Sequence, residues 1–353
     1  MAARRGWFRR DDADAPGEEV ELTARELAAH HLLLVPSTVP LDVVDQLVRD
    51  WVPTSRLGET GEVQLGRETR ITGPFELSME DAVDAAVPMP WTVVFSLNTP
   101  VDREDPPLPG TDDRDGFAFA FPEGLPWRDE ARALHLLVSL ARRIGGAVRM
   151  AGSFEVVQPD PDRAVDHLVH APFWVDPEVL CGVVARELPS VRLATEGEEW
   201  AGPGEAVYSG AVIAEALADE PLRADELEAL HAHADRMDMN ALAAPDILDA
   251  YALVGEVGPG AQDGAVEVLA HVAEGVEPAV AGEEWASRSF VTYEIRWMPP
   301  DPAERERRTP SAAYLASRKQ VKPVIAAITL AVIEVTSGLV VDEDGFRVDR
   351  YQL

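Results

Sequence analysis

The sequence predicts an α+β protein with antiparallel sheets, built from two copies of one unit, and three observations carry that prediction. Residues 28–57 and 164–193 align without a gap at an offset of 136, and ten of the thirty positions are identical, among them His31/His167, Pro36/Pro172, Val39/Val175, Pro53/Pro189 and Arg56/Arg192. A fainter echo at an offset of 192 relates 131–157 to 323–349 and keeps Gly146/Gly338, Val148/Val340, Phe154/Phe346 and Val156/Val348. The third observation is the order in which helical and strand periodicities alternate, which is the same in both copies. A repeat settles architecture before any single motif does.

Taken in order, residues 1–21 mix Arg4, Arg5, Arg9 and Arg10 with Trp7 and Phe8 before turning acidic, and read as a mobile arm. His30 to Val35 is strand-like. Leu41, Val44, Leu47 and Val48 recur at helical spacing in 41–51, and Pro53 lies just past that helix. Residues 62–78 supply one or two strands, and 91–97 (WTVVFSL) supplies another. An acidic, proline-rich loop follows. Phe117, Phe119 and Phe121 alternate with alanine and predict a short extra strand. The helix within 128–144 stops at Gly145-Gly146, and a strand pair over 147–158 closes the copy.

The second copy repeats this plan with strand 167–171, helix 177–187, strand 289–297, helix 311–336 and a final hairpin over 338–349. Its middle is longer by some 60 residues, rich in Ala, Glu, Asp and Leu, and reads as a protruding helical insert over about 207–275. The order strand, helix, strand, strand, helix, strand is the split βαβ plan of ferredoxin-like folds, with helices on one face of an antiparallel sheet. The domains expected are the arm 1–21, a first copy 22–160 and a second copy 161–353, packed as a pseudo-dimer within one chain that is itself a monomer or weak oligomer.

Composition narrows the function. A net charge of −32 disfavours nucleic acid as a ligand, since phosphate binding needs a basic surface. The same charge would steer a basic protein partner inward. The longest apolar run, Val324 to Ile333, is about half a membrane span. One cysteine, Cys181, rules out an internal disulfide, and cytoplasmic residence is expected.

Candidate chemistry is sparse. Residues shared by both copies, such as His31 and His167, serve the fold. In the insert, His231, Asp235 and Asp238 fall at i, i+4 and i+7 of a helix, where an imidazole and two carboxylates could hold zinc or non-haem iron. The acidic turns 112–116 and 342–345 lack the glycine and glutamate that a helix–loop–helix calcium site requires, and read as turns. The glycines of 255–260 do not have phosphate-loop or dinucleotide spacing, so no cofactor is expected. Partner contact is assigned to Asp102, Glu104, Asp105, Asp112, Asp113 and Asp115, which crowd one loop, and Arg305, Arg307 and Arg308 of the corresponding second loop are candidates to neutralise it.

These features point to a non-enzymatic cytoplasmic binding protein, for example an immunity-type protein or an assembly component that engages a basic protein. The alternative is an enzyme with a site between the copies or at the insert, assisted by a metal.

Overall fold

The computed structural model describes residues 22–52, 62–194, 250–273 and 275–353, together with Arg4–Arg5. The first half begins with a two-residue strand β1 (Arg4–Arg5), followed by α1 (Ala24–Ala29), β2 (His31–Val35), α2 (Leu41–Trp51), β3 (Glu62–Gln64) and β4 (Arg70–Glu76). It continues through α3 (Met79–Asp84), β5 (Val93–Asn98), α4 (Phe117–Ala120), α5 (Arg128–Ile144), β6 (Ala147–Arg149) and β7 (Val156–Val157). The second half contains β8 (His167–Ala171), α6 (Pro177–Val184), β9 (Arg192–Leu193), β10 (Ala250–Glu256) and β11 (Ala265–Val272). It ends with β12 (Val291–Met298), α7 (Ala312–Thr336), β13 (Leu339–Asp342) and β14 (Arg347–Val348).

The fold is α+β, with two antiparallel sheets. The first sheet runs β7-β6-β2-β5-β4, and both β1 and β3 pair with β4. The second runs β14-β13-β8-β12-β11-β10-β9. Read from each half's last hairpin inward, the sheets place the matching strands β2 and β8 third and then return to the strand before the long helix, β5 or β12. Moving β2 by 136 residues gives the bounds of β8. The last residues of α5 and α7, Ile144 and Thr336, are separated by the 192 of the second echo.

The glycine shared after those helices has one cause in both halves. A Cβ on Gly146 would come 2.5 Å from the carbonyl oxygen of Leu34, and one on Gly338 would come 2.8 Å from that of His170. Leu34 and His170 are themselves counterparts at the offset of 136. Only a residue without a side chain lets the chain leave the helix so close to the central strand.

Three expectations are corrected. The Phe-Ala alternation at 117–121 forms a turn of helix, not a strand. Asp113 accepts the backbone N–H groups of Phe117 and Ala118 at 2.9 and 2.7 Å, and Gly116 takes a left-handed φ of 74°. This brings Phe117 and Phe121, four residues apart, to the buried side and leaves Phe119 outside.

The insert is not helical over its last part. Residues 250–256 and 265–272 are β10 and β11, continuous with the second sheet. Tyr251 and Leu253 alternate inward with Val266, Val268 and Ala270, a period of two that the alanine-rich composition obscured. The remainder, 207–249, lies outside the described residues.

Helices also cover both faces of the first sheet, where one face was expected. Leu33 and Val35 of β2 pack toward α2 and α5, while Leu32 and Leu34 pack toward α1 and α3. Every residue of β2 is therefore buried. The arm 1–21 falls outside the described residues except for Arg4–Arg5, which pair with Glu76 and Phe75.

Candidate functional site

The acidic loop leaves β5 at Asn98 and is fastened at both ends. At its start, residues 102–105 run antiparallel to 125–127: the N–H of Glu104 donates to Leu125 at 2.9 Å and that of Trp127 donates to Asp102 at 2.9 Å. Beneath this pairing lies Glu130, which is wholly buried. Its carboxylate accepts the N–H of Asp102 at 2.9 Å and Nε2–H of His31 at 3.2 Å. The guanidinium of Arg103 lies 2.7 Å from it without good hydrogen-bond alignment, and stacks on Phe121 at 4.2 Å. Ala151 donates its N–H to Nδ1 of His31, which leaves the proton of the neutral ring on Nε2. Burial pushes the His31 pKa below its usual value despite the nearby carboxylate. The shared histidine of the first copy is therefore a neutral strut under the loop.

At its far end the loop is held by Asp113, which caps α4, and by Asp115. Asp115 is buried and accepts from Arg142 at 2.8 Å. Burial alone would raise its pKa, but contact with His135 and the charges of Arg142 and Arg114 outweigh that and hold it low. Between these anchors, Glu104, Asp105 and Asp112 are exposed, and among the described residues none of the three forms an ion pair. Leu108 stands at the tip, 80% exposed.

The six acidic residues assigned from sequence thus divide. Glu104, Asp105 and Asp112 face solvent, Asp102 is half-buried with Arg128 3.9 Å away, and Asp113 and Asp115 are used inside the fold. The second loop does not neutralise them. Arg305 pairs with Asp166 and Glu343, Arg307 pairs with Glu304, and Arg308 lies 4.5 Å over the ring of Phe119.

The two halves meet through the last hairpin. Its tip enters the helical face of the first half, and Phe346 is fully buried in that half's core beside Val44, Leu134 and Ala141. Trp51 donates its indole N–H to the carbonyl of Asp344 at 2.8 Å. The Asp344 carboxylate accepts from Ser139 at 3.0 Å and pairs with Arg142. Arg114 and Arg305 converge on Glu343 at 2.7 and 2.9 Å. Burial would raise the pKa of Glu343, but those two cations overcome it and keep the group ionised. Arg143 reaches Asp342 at 3.1 Å, whose pKa burial nonetheless pushes up to about 6. Beside this junction an open groove of about 670 Å³ is lined by Val39, Val43 and Leu47 on one side and Leu339 and Val348 on the other.

Among the buried cations that sequence reasoning passed over, Arg149 is the most completely enclosed. Arg149 is fully buried, and its guanidinium donates to the carbonyls of Leu27, Ala28 and His30, the open end of α1. With no carboxylate beside it, burial lowers its pKa to about 10. In sequence it looks like any polar strand residue.

His231, Asp235 and Asp238 lie outside the described residues. Among the described residues no three His, Cys, Asp or Glu side chains are placed to hold a metal, and no helix is long and apolar enough to cross a membrane. The chain matches no protein family, no curated protein and no solved structure.

Proposed function

We propose that the chain is a binding protein in which two ferredoxin-like units, 22–160 and 161–353, arose by internal duplication and present the loop 102–115 to a basic protein partner. The common strand order and the matched glycines support the duplication. The observation that carries the binding reading is the contrast within the loop. Its ends are fixed by the buried carboxylates of Glu130 and Asp115 and by half-buried Asp113, while its middle projects Glu104, Asp105 and Asp112 without counter-ions among the described residues.

A charged group that the fold leaves unpaired is free to be matched by a partner, and such contacts set association rate and specificity. The fastened ends limit what the loop loses in freedom on binding. Cytoplasmic residence, and a role as an immunity-type protein or assembly component, remain part of this proposal.

The test uses a partner recovered from the native cell. Binding by the wild-type chain should weaken steeply as salt rises and shortens the Debye length from about 30 to 8 Å. The variant Glu104→Gln/Asp105→Asn/Asp112→Asn should bind more weakly and lose most of that salt dependence. Unchanged binding by this variant would remove the loop from consideration.

A further inference from the structure

Between the two acidic clusters of the loop the chain reads Pro106-Pro107-Leu108-Pro109. Each proline fixes its own φ near −65°. Each also drives the residue before it out of the helical region, so Asp105, Pro106 and Leu108 are biased to extended backbone. Such a run has one low-energy form, a left-handed polyproline II segment with no internal hydrogen bonds.

Both ends of this segment are closed. Ahead of it, Glu104 is paired to Leu125. Behind it, Thr111 donates its N–H at 3.0 Å and its hydroxyl at 2.8 Å to the carbonyl of Leu108. Pro109 and Gly110 are the central residues of that turn, and Gly110 has a φ of 83°, the left-handed value that the third position of a type II turn needs. Leu108 is the most exposed leucine among the described residues, and Pro106 and Pro109 are exposed beside it.

We propose that residues 105–109 form a preorganised polyproline II ligand that docks into a groove lined by aromatic side chains and rimmed by lysine or arginine on the partner protein. The proline rings and Leu108 supply a ridged apolar surface, and the carbonyls of Pro106 and Pro107, which have no partner among the described residues, accept hydrogen bonds from tryptophan or tyrosine, which is how aromatic grooves recognise such segments. Glu104, Asp105 and Asp112 flank the ridge and select the basic rim. This inference rests on the binding reading and adds the form of the contact.

The experiment replaces Leu108 with a photoreactive phenylalanine analogue in the full-length chain. It crosslinks in extract of the native cell, and the crosslinked peptide is sequenced. Affinity for the partner so identified is then measured for the wild-type chain, for Pro106→Ala/Pro109→Ala and for Glu104→Gln/Asp112→Asn, with thermal melting to confirm that each variant is folded. The crosslinked peptide should contain tryptophan or tyrosine. The proline variant should bind about tenfold more weakly at every salt concentration, and the charge variant should chiefly lose its salt dependence.

A proline variant that binds within about twofold of wild type, or a crosslinked peptide without aromatic residues, overturns the polyproline contact while leaving the acidic loop as the site. If no protein crosslinks, or the charge variant also binds as wild type, the binding reading fails with it.

Discussion

Replacing Phe346 by alanine tests the junction between the halves directly. The side chain belongs to the second half's last hairpin yet fills the core of the first, with no exposed surface. A buried phenylalanine removes about 150–250 Å² from water. At about 25 cal/mol per Å² that is about 4–6 kcal/mol, an upper bound because the unfolded chain already buries part of that area and alanine keeps one carbon. Measured phenylalanine-to-alanine changes in cores cost about 3–5 kcal/mol, and we expect that loss here. Phe346→Leu, which keeps most of the volume, should cost under about 1.5 kcal/mol.

The assay is guanidinium unfolding followed by tryptophan fluorescence, together with amide hydrogen exchange read peptide by peptide. Because the hole opens in the first half, exchange should quicken in β2, β6 and α5, far from residue 346 in sequence. Paired with Trp51→Phe, which removes the hydrogen bond to Asp344, the double variant should show a coupling energy of about 0.5–3 kcal/mol. A loss below about 1 kcal/mol, or exchange that quickens only within 339–348, would refute the account of the junction.

Further expectations concern backbone and charge. Gly146→Ala and Gly338→Ala should each destabilise by about 1–3 kcal/mol, because the added carbon meets a backbone carbonyl that cannot turn aside; equal melting temperatures for wild type and variants would dissolve the shared cause. Asp342 has its folded pKa raised from 3.8 to about 6, so it binds protons more readily when folded, and its contribution is lost as pH climbs through that window. Asp342→Asn, which can still accept from the backbone, should flatten that segment of the stability curve measured by denaturant titration. His167 and His170 are displaced the other way, from 6.5 to about 4, mainly by burial, so the stability they lend is present above pH 6.5 and lost as pH falls toward 4. His167→Gln/His170→Gln should make unfolding less sensitive to acid over that span; an unaltered slope would count against burial as the cause.

Elements carried by long periodic runs could be read from sequence alone. The bounds of α2 were legible because apolar residues recur at three and four, and β2 and β8 because a gapless repeat passes through both. What escaped was decided by contacts distant in sequence. The Phe117 segment alternates like a strand, but Asp113 caps it into a helix. β10 looks like the end of a helical insert until Tyr251 and Leu253 are seen between β9 and β11. At the candidate site, the crowding of acids was visible, but their division was not. Whether Asp115 faces solvent or Arg142 depends on a helical residue 27 positions further on. The type II turn after Leu108 was written in Pro109-Gly110 and could have been read from the start.

The place of Phe346 has a consequence for synthesis. The first half has made its last strand by Val157, but the residue that completes its core, Phe346, comes 189 residues later. At roughly 5–20 residues per second, the nascent first half waits about 10–40 s with a phenylalanine-sized vacancy beside Val44 and Leu134. A ribosome that stops early would release a chain with every first-half residue present and the half still unfinished. A truncation that removes Phe346 should therefore leave a protein whose weakest region is its first half, far from the cut in sequence.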